Sequence, residues 1–463
     1  FYPPLPEPLT KPSVDAPRQL PGAGAAKQKK EEACSMRLEL HKVKVKDVQW
    51  GNATCVKDGV LYVNKEEAKA LIAEESRFAK VDLELARPGE STRIIPVKDV
   101  VEPRVKLDRK GYYPGFNNTA MARCGEGKTL VLDGAAVVTC GPIVAFQEGF
   151  IDMSGPGAVY TPFSATQNVV LVVEPIKDLE QHQYEQVLRE AGLKLGVYLA
   201  DKCRDAKPDV VDVFEKGTVP EEKEKYPNLP KVIYVCMNIT QGLLHDTYVY
   251  GADIRPSLPT LLHPNEVLDG AMVSGNCVSA CDKNTTWHHV HNPIVAALYA
   301  RHGKDLNFLG VIPTQESTVL MGKVRASQMN LSIAQELGAD GVIVSEEGYG
   351  NPDTDLCMNA RNFERAGIKS VVVSDEAAGT DGASQSLADA TPEMTGFVST
   401  GNVNEMLEVP AMKNVYGWPE SIAHLSGGAA ESLRKDGSMY VEMQAIIAST
   451  AEIGFNKVGC EWI

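Results

Sequence analysis

Residues 269–293 pack Gly, Asn, Cys, His and Asp closely together, in the order DGAMVSGNCVSACDKNTTWHHVHNP. These residue types could support three kinds of chemistry. Cysteines followed by histidines could bind a metal ion, a thiolate beside an imidazole could act as a nucleophile, and the dipeptide Asn276–Cys277 could cleave itself. A packing role is the fourth possibility, because a single Cys such as Cys281 is usually a small buried hydrophobic residue.

Metal binding would use Cys277 and Cys281 together with His288, His289 and His291, which are soft and borderline ligands suited to zinc. Only six residues separate Cys281 from His288, whereas zinc-finger patterns leave about twelve or more at this point. The three histidines are also common capping and packing residues. We therefore expect no metal at this segment.

Self-cleavage would begin with attack of the Cys277 thiol on the carbonyl of Asn276. The amide would become a thioester, and elimination would break the chain and leave dehydroalanine, which hydrolyses to a pyruvoyl group. Such a step needs a strained, permissive turn, and the preceding Ser-Gly-Asn residues are small or tolerate left-handed backbone. An Asn-Cys dipeptide by itself is common, so the residues alone favour a packing role for this segment.

Composition narrows the class of protein. The chain has 463 residues, which suffices for two or three domains, and a net charge of -15. That charge would repel a phosphate backbone, so we expect no nucleic-acid partner. We also expect no membrane span and a cytoplasmic location, because no apolar run is long enough and the start lacks a signal-peptide pattern. The ten cysteines follow no framework of spacings and are expected to be reduced thiols.

The chain divides into four predicted segments. Residues 1–35 are rich in Pro, Ala and charge and are expected to form a flexible tail. Residues 36–150 contain alternating or β-branched runs and predict a β-rich domain, with a helix at about Lys65 to Ala73. Residues 151–276 predict an α/β segment that ends at the cleavage site. Residues 277–463 predict a C-terminal α/β subunit.

The fold class is therefore α/β, with an N-terminal β-rich domain followed by a mostly parallel sheet in the C-terminal part. Strands NFLGVI, DGVIVS and SVVVS alternate with helices near 316–337 and 353–366, which predicts helices on both faces of that sheet. In the first of these helices Leu320, Val324, Leu331 and Ala334 are predicted to share one face. Ligands of such sheets lie beyond the C-terminal strand ends, where the loops 345–355 and 374–390 follow.

Several long segments resemble one known family. They are RPGESTRIIPVKDVVEPRVK, GFIDMSGPGAVYTPFS, QGLLHDTYVYGAD, DGAMVSGNCVSACDKNTTWHH, GADGVIVSEEGYGNPDTDL and DGASQSLADA. From about Met36 to the C-terminus, the sequence resembles the proproteins of the glycine/sarcosine/betaine reductase component B family. The related D-proline reductase proprotein is a weaker match, because it lacks the N-C-V-S-A-C run. The tail before Met36 departs from the family and receives no role.

The resemblance implies processing at the dense segment. Members are cleaved before the first cysteine of S-G-N-C-V-S-A-C-D-K-N, and that cysteine becomes the pyruvoyl group. Carried over, Asn276 would end one subunit, Cys277 would become the cofactor of the other, and the two cleaved pieces would stay associated. A pyruvoyl carbonyl is an electrophile that can condense with the amine of a small amino-acid substrate and withdraw electrons from it.

The resemblance also implies partners. A selenoprotein subunit of component B would supply a selenocysteine that displaces the activated amine. A carrier selenoprotein, component A, would receive the carboxymethyl group, and a third component would release acetyl phosphate. The sequence contains no selenocysteine. The chain is therefore expected to be an oxidoreductase subunit that depends on these partners.

Supporting residues are expected in two places. His245 and Asp246 lie in the motif LLHDTYVYG, and Glu346, Glu347 and Asn351 lie in the loop after DGVIVS. Carboxylates there could hold an ammonium group or carry its protons. Two further candidates in the same loop, Asp353 and Asp355, could instead cap the helix that follows.

The substrate and the class of protein have alternatives. The segment FQEGFIDMSGPGA resembles the glycine-reducing members most, so we expect glycine, with sarcosine or betaine as the alternatives. Betaine has a quaternary nitrogen and cannot form an imine. A non-catalytic scaffold subunit would carry no exposed pyruvoyl group, and a pyruvoyl-dependent decarboxylase would release carbon dioxide without a selenoprotein.

Overall fold

A computed structural model describes residues 35–109, 112–116, 124–143, 148–240, 247–275 and 279–455. The predicted tail, apart from Ser35, lies outside these residues. The α-helices are α1 (Lys65–Ala73), α2 (Gln181–Lys202), α3 (Val219–Lys225), α4 (Pro264–Asp269), α5 (Thr286–Val290), α6 (Pro293–Arg301), α7 (Leu320–Glu336) and α8 (Asp353–Arg365).

Twenty-three strands accompany the helices in the described residues. The first twelve are β1 (Met36–Lys44), β2 (Asp47–Trp50), β3 (Cys55–Lys57), β4 (Val60–Val63), β5 (Phe78–Ala86), β6 (Thr92–Val101), β7 (Arg104–Lys106), β8 (Gly127–Asp133), β9 (Ala135–Cys140), β10 (Gly149–Asp152), β11 (Gln167–Pro175) and β12 (Val210–Lys216). The others are β13 (Lys231–Ile239), β14 (Thr247–Val249), β15 (Ala252–Asp253), β16 (Met272–Ser274), β17 (Asn307–Glu316), β18 (Gly341–Ser345), β19 (Lys369–Glu376), β20 (Phe397–Asn402), β21 (Met406–Val409), β22 (Asn414–Gly417) and β23 (Met439–Glu442). Short 3-10 helices span Pro156–Tyr160, Pro162–Ala165, Pro419–His424 and Met443–Ala445.

The N-terminal part is strand-rich, as the sequence predicted. One sheet has the order β12-β1-β8-β7, and a larger one has the order β10-β6-β9-β11-β5 with β22 also paired to β6. Both sheets mix parallel and antiparallel pairs. Helix α2 packs on this part through Tyr184, Leu188 and Leu195, three buried residues at helical spacing. The predicted helix over Lys65 to Ala73 is confirmed.

The C-terminal part contains a five-stranded sheet in the order β17-β13-β18-β19-β20. Every neighbouring pair in it is parallel, which confirms the predicted parallel sheet. Buried side chains of β13 alternate between its two faces. Ile233 and Val235 join the core with α7 and α8, whereas Tyr234 and Cys236 join the core with α6. Helices therefore cover both faces.

The predicted face of α7 is confirmed only toward its C-terminal end. Ala334 is buried and Leu331 packs against the same core, whereas Leu320 is 60% exposed. Three polar residues of this helix are buried as well: Lys323, Ser327 and Asn330. Lys323 pairs with Asp355 on α8, and Asn330 donates to the Asn359 side-chain oxygen at 3.0 Å. The hydrophobic pattern misled the prediction because α7 and α8 contact each other through polar pairs.

Both large sheets join residues from before and after position 276. Strand β13 belongs to the first part of the chain, yet it lies between β17 and β18 of the second part. Conversely, β22 pairs with β6, with Asn414 opposite Thr92. Separating the two parts would leave the backbone groups of β13 unpaired in a hydrophobic core. The predicted segment boundaries remain predictions.

None of the described helices combines the length and the apolar character needed to cross a bilayer.

Candidate active site

Four parallel strands end at the same edge of the C-terminal sheet. Strand β13 ends at Ile239, β17 at Glu316, β18 at Ser345 and β19 at Glu376. The turn that follows the proposed cleavage site, residues 279–285, lies against this edge. The edge is the position at which open parallel sheets bind ligands.

The residues predicted from sequence have three outcomes. Asn276, Cys277, His245 and Asp246 lie outside the described residues, so their roles remain predictions. Glu346 and Glu347 are both fully buried at the strand ends. Asn351, in the same loop, is exposed, and its backbone oxygen accepts a hydrogen bond from the Lys323 amine at 3.0 Å.

Glu347 connects the turn to the sheet. Its Oε1 accepts from the backbone N–H of Asn284 at 2.8 Å, and its Oε2 accepts from the N–H of Ile239 at 3.1 Å. Its own N–H donates to Oε1 of Glu316 at 3.2 Å. Burial raises the pKa of Glu347 to about 7, although the two N–H donors and the charge of Lys283 oppose the shift. The carboxyl can therefore exchange a proton near neutral pH.

Lys283 and Ser274 hold the chain just before the proposed cleavage site. The Lys283 amine donates to the carbonyl oxygen of Gly275 at 2.6 Å, and the Ser274 hydroxyl donates to the same oxygen at 3.0 Å. Lys283 is 1% exposed, so its charge acts in a low-dielectric environment. These two bonds fix the peptide that leads into Asn276.

Asp99 anchors the same segment from the N-terminal part. Its two carboxylate oxygens accept from the N–H and the hydroxyl of Thr286 at 3.0 and 2.6 Å. The Thr286 oxygen in turn accepts from the N–H of Ser274 at 3.0 Å. Burial raises the pKa of Asp99 to about 6, against the opposing charge of Lys283. Strand β6 therefore helps to position the segment on both sides of residues 276–278.

A group of buried carboxylates surrounds the turn. Five of them are 0% exposed and form no ion pair with a Lys or Arg of the described residues: Asp282, Glu316, Glu346, Asp375 and Glu452. Burying a carboxylate without a counter-charge costs several kcal/mol or forces protonation. We call these five residues the strand-end carboxylates.

Hydrogen bonds fix part of this group. The Asp375 N–H donates to Oε1 of Glu452 at 3.0 Å, and the Thr450 hydroxyl donates to Oδ2 of Asp375 at 2.7 Å. Both oxygens of Asp282 and of Glu346 accept no hydrogen bond from the described residues. Burial, followed by neighbouring negative charge, raises the pKa of all five carboxyls well above the ordinary range.

The histidines of the dense segment have packing and capping roles. His288 caps α5, because its Nδ1 lies 2.7 Å from the Thr285 hydroxyl, and its ring contacts Phe163 edge-on. His291 Nε2 lies 2.7 Å from Oε1 of Glu102. Burial lowers the pKa of His289 to about 3, which keeps that imidazole neutral. In the described part of the chain, these rings do not join Cys281 in a cluster of ligand atoms.

Asp353 and Asp355 support the loops. Asp353 accepts from the Gly350 N–H at 2.6 Å and from the N–H of Ala388, so it links the two predicted ligand loops. Asp355 pairs with Lys323. Neither side chain caps α8, which begins after Pro352 without a side-chain cap.

Sequence reasoning missed several of these residues. Glu316 and Asp375 could have been found, because each follows a predicted strand of the parallel sheet. Asp282 and Lys283 lie inside the dense segment but were not singled out. Glu452 follows no strand of that sheet, and no pattern in the sequence indicates that it reaches Asp375.

Comparison with known proteins identifies the family. The family of glycine/sarcosine/betaine reductase component B subunits matches residues 36–461. The chain is 53% identical over 426 residues to glycine reductase complex component B subunits alpha and beta of Acetoanaerobium sticklandii, covering 91% of this chain and 99% of that protein. The chain belongs to this family. It is therefore a subunit of a reductase complex, which makes it part of an oxidoreductase.

Other members of the family are also similar to this chain in sequence. The sarcosine reductase complex component B subunit alpha of Peptoclostridium acidaminophilum is 51% identical over 424 residues, covering 91% of this chain and 99% of that protein. The betaine reductase complex component B subunit alpha of the same organism is 39% identical over 435 residues, covering 91% and 98%. No solved structure matches the chain.

Proposed function

We propose that this chain is the proprotein of the pyruvoyl-bearing subunits of a glycine reductase component B, cleaved between Asn276 and Cys277. The observation that carries the proposal is the convergence of four strand ends on the segment that flanks the cleavage dipeptide. On its upstream side, Gly275 is fixed by two hydrogen bonds, and on its downstream side Asn284 is bonded to Glu347. Membership of the component B family supports the reaction class.

Cleavage would proceed in three steps: an acyl shift, an elimination and a hydrolysis. The Cys277 sulfur attacks the Asn276 carbonyl carbon, a C–S bond forms and the C–N bond breaks. Elimination then breaks the Cβ–S bond, leaving a thiocarboxylate on Asn276 and dehydroalanine at position 277. Water releases ammonia from the latter, and the pyruvoyl group remains. No oxidant or reductant is required.

The residues that flank Cys277 fit such a group. Lys283 brings a buried positive charge, Glu347 brings a carboxyl that titrates near pH 7, and the Asn284 side chain has no hydrogen-bond partner in the described structure. The pyruvoyl group, once formed, supplies an electrophilic carbonyl that no ordinary side chain provides. Glu347 in its ionised form accepts the proton that a substrate ammonium must lose.

Glycine is the substrate we propose, with sarcosine and betaine as alternatives. The relatives named for glycine and sarcosine reductase are about equally similar to this chain, and the one named for betaine reductase is more distant. A selenoprotein subunit of component B would supply selenocysteine, and component A would accept the carboxymethyl group. A cytoplasmic location remains a prediction.

The test combines labelling with reconstitution. The purified chain should react with a hydrazide reagent on the piece that begins at residue 277, whereas Cys277→Ala should take up no label. With the selenoprotein partners added, glycine should be consumed faster than sarcosine or betaine. A labelled chain that prefers sarcosine would overturn only the substrate. A chain that is never labelled would make it a scaffold, and turnover without partners that releases carbon dioxide would make it a decarboxylase.

A further inference from the structure

The strand-end carboxylates contain a smaller group that the proposed cleavage does not use. The Cys281 sulfur and one carboxylate oxygen each of Asp282 and Asp375 lie within 4.8 Å of one another, and all three residues are buried. Glu452 joins them, because its Oε1 accepts the Asp375 N–H. These residues come from three separate stretches of the second part of the chain.

Several carboxylate oxygens of these residues have no hydrogen-bond donor. Both oxygens of Asp282, Oδ1 of Asp375 and Oε2 of Glu452 accept no hydrogen bond from the described residues. Asp282 is 0% exposed. A folded protein rarely leaves so many buried acceptors unsatisfied, and each specific case requires a missing partner. Every free atom in this group is an acceptor, so its missing partner is a donor or a cation, and only a cation would also offset the charge of ionised carboxylates.

The backbone holds the group in place independently of any ligand. The Thr450 N–H donates to the carbonyl oxygen of Cys281 at 3.1 Å, and the Ala448 N–H donates to that of Ala280 at 2.8 Å. The Thr450 hydroxyl donates to Asp375. The turn before Asp282 is thus paired with the segment that leads to Glu452, and β19 supplies Asp375 from the third side.

We propose that Asp282, Asp375 and Glu452 bind one oxygen-preferring divalent cation. Oxygen ligands of Ca²⁺ lie 2.3–2.6 Å from the ion, so opposite ligands are about 5 Å apart. One oxygen each of Asp282 and Asp375 meets this spacing, since both lie within 4.8 Å of each other, and Glu452 is held beside Asp375 by the hydrogen bond to its N–H. Three carboxylates favour Ca²⁺, Mg²⁺ or Mn²⁺ over a thiolate-preferring metal.

The cation would have a structural task. It would neutralise carboxylates that no Lys or Arg of the described chain reaches, and it would fix the turn that carries Lys283 and Asn284. The proposal departs from the sequence-based expectation of no metal, which concerned a Cys-His zinc set. None of its ligands takes part in the proposed cleavage step, so bound metal and cleavage can be measured separately.

The test uses the full chain purified without added metal. Elemental analysis should find about one equivalent of Ca²⁺, Mg²⁺ or Mn²⁺. Prolonged dialysis against EDTA should remove it and lower the melting temperature by several degrees, and the removed ion should restore it. Asp282→Asn should abolish both the bound metal and the EDTA effect. Asp381→Asn is the matched control, because Asp381 is exposed in a nearby loop and should leave both unchanged.

Three results would overturn the proposal. One is a metal-free chain whose melting temperature does not respond to EDTA or to any of the three ions. Another is a zinc content that disappears in Cys281→Ser, which would indicate a thiolate site. The third is unchanged metal content in both Asp282→Asn and Glu452→Gln. If neither variant folds, the response of the natural chain to EDTA and added ions decides the question.

Discussion

Buried charges are organised differently in the two parts of this molecule. On the N-terminal sheets they occur as close pairs: Arg93–Asp152, Lys98–Glu148, Arg104–Glu102 and Lys106–Asp269. At the ends of the C-terminal strands, five buried carboxylates have no basic partner in the described chain. Paired charges are the usual condition for burial, and unpaired ones concentrate at sites that bind ligands or move protons. We infer from the contrast that the paired charges hold the fold and that the proposed chemistry takes place beside the unpaired ones.

The largest expected effect concerns cleavage beside the unpaired group. Cys277→Ala removes the thiol that begins the acyl shift, so no cleavage should occur. Cys277→Ser should cleave slowly, because a hydroxyl performs the same shift less readily. Cys281→Ala is the matched control and should still be cleaved. Gel electrophoresis of the three variants gives the answer, and loss of cleavage in Cys281→Ala alone would assign the reaction to the other cysteine.

Breaking a pair on the N-terminal sheet should have the next largest effect. Asp152→Ala leaves the Arg93 guanidinium buried without its two carboxylate bonds of 2.6 and 2.7 Å. The free energy of unfolding should fall by about 3–5 kcal/mol, measured by urea denaturation in the uncleaved Cys277→Ala background.

A surface pair provides the control for that measurement. Glu174→Ala breaks an exposed contact with Lys80 and should cost less than about 1 kcal/mol. Equal losses in the two variants would contradict the view that the buried pairs hold the fold.

Glu347 should matter for turnover more than for stability. Replacement by Gln keeps an acceptor for one of its two N–H donors but removes the titrating group. The rate with glycine should fall about 100-fold. In the natural chain, activity should rise with pH through about 7, where Glu347 ionises, and this limb should be absent in Glu347→Gln. A lower rate with an unchanged pH profile would assign Glu347 to positioning alone.

Neutralising an unpaired carboxylate should have the smallest effect on the free energy of unfolding, and it should raise that free energy rather than lower it. Burial raises the pKa of Glu316, so the folded state binds the proton more tightly than the unfolded state. Its contribution to stability is present below the unfolded pKa and is lost as pH rises through the folded one. Glu316→Gln should therefore be as stable as the natural chain at about pH 4, below the ordinary Glu pKa, and more stable by at least on the order of 1 kcal/mol at pH 8. Destabilisation at both pH values would mean that Glu316 is held by an unseen positive partner.

Much of the fold and a few of the buried carboxylates could be predicted from the sequence, and the limits have physical causes. Strand periodicity and the spacing of Tyr184, Leu188 and Leu195 indicated the elements, because their burial follows hydrophobicity. The face of α7 was predicted correctly for Leu331 and Ala334 but not for Leu320, because several buried positions of this helix are polar and depend on partners in α8. Glu346 and Glu347 were predicted from their place after a strand. Glu452 was not, because only the tertiary fold brings it to Asp375.

The interlocked sheets also explain how the pieces could stay together after cleavage. Strand β13 of the first piece lies between two strands of the second, so dissociation would require unfolding of the C-terminal core. The two pieces should therefore elute as one species in size-exclusion chromatography without denaturant and separate in its presence. Elution as two species in native buffer would contradict the strand arrangement.

Intact mass measurement of the purified chain tests the central claim most directly. Two pieces are expected, one ending at Asn276 and one containing the remaining 187 residues (463 minus 276). The second piece should lack the sulfur and the nitrogen of a free N-terminal Cys, carry one additional oxygen, and resist Edman degradation. A single uncut chain from a native-like host, or a second piece with ordinary Cys at its first cycle, would contradict the account.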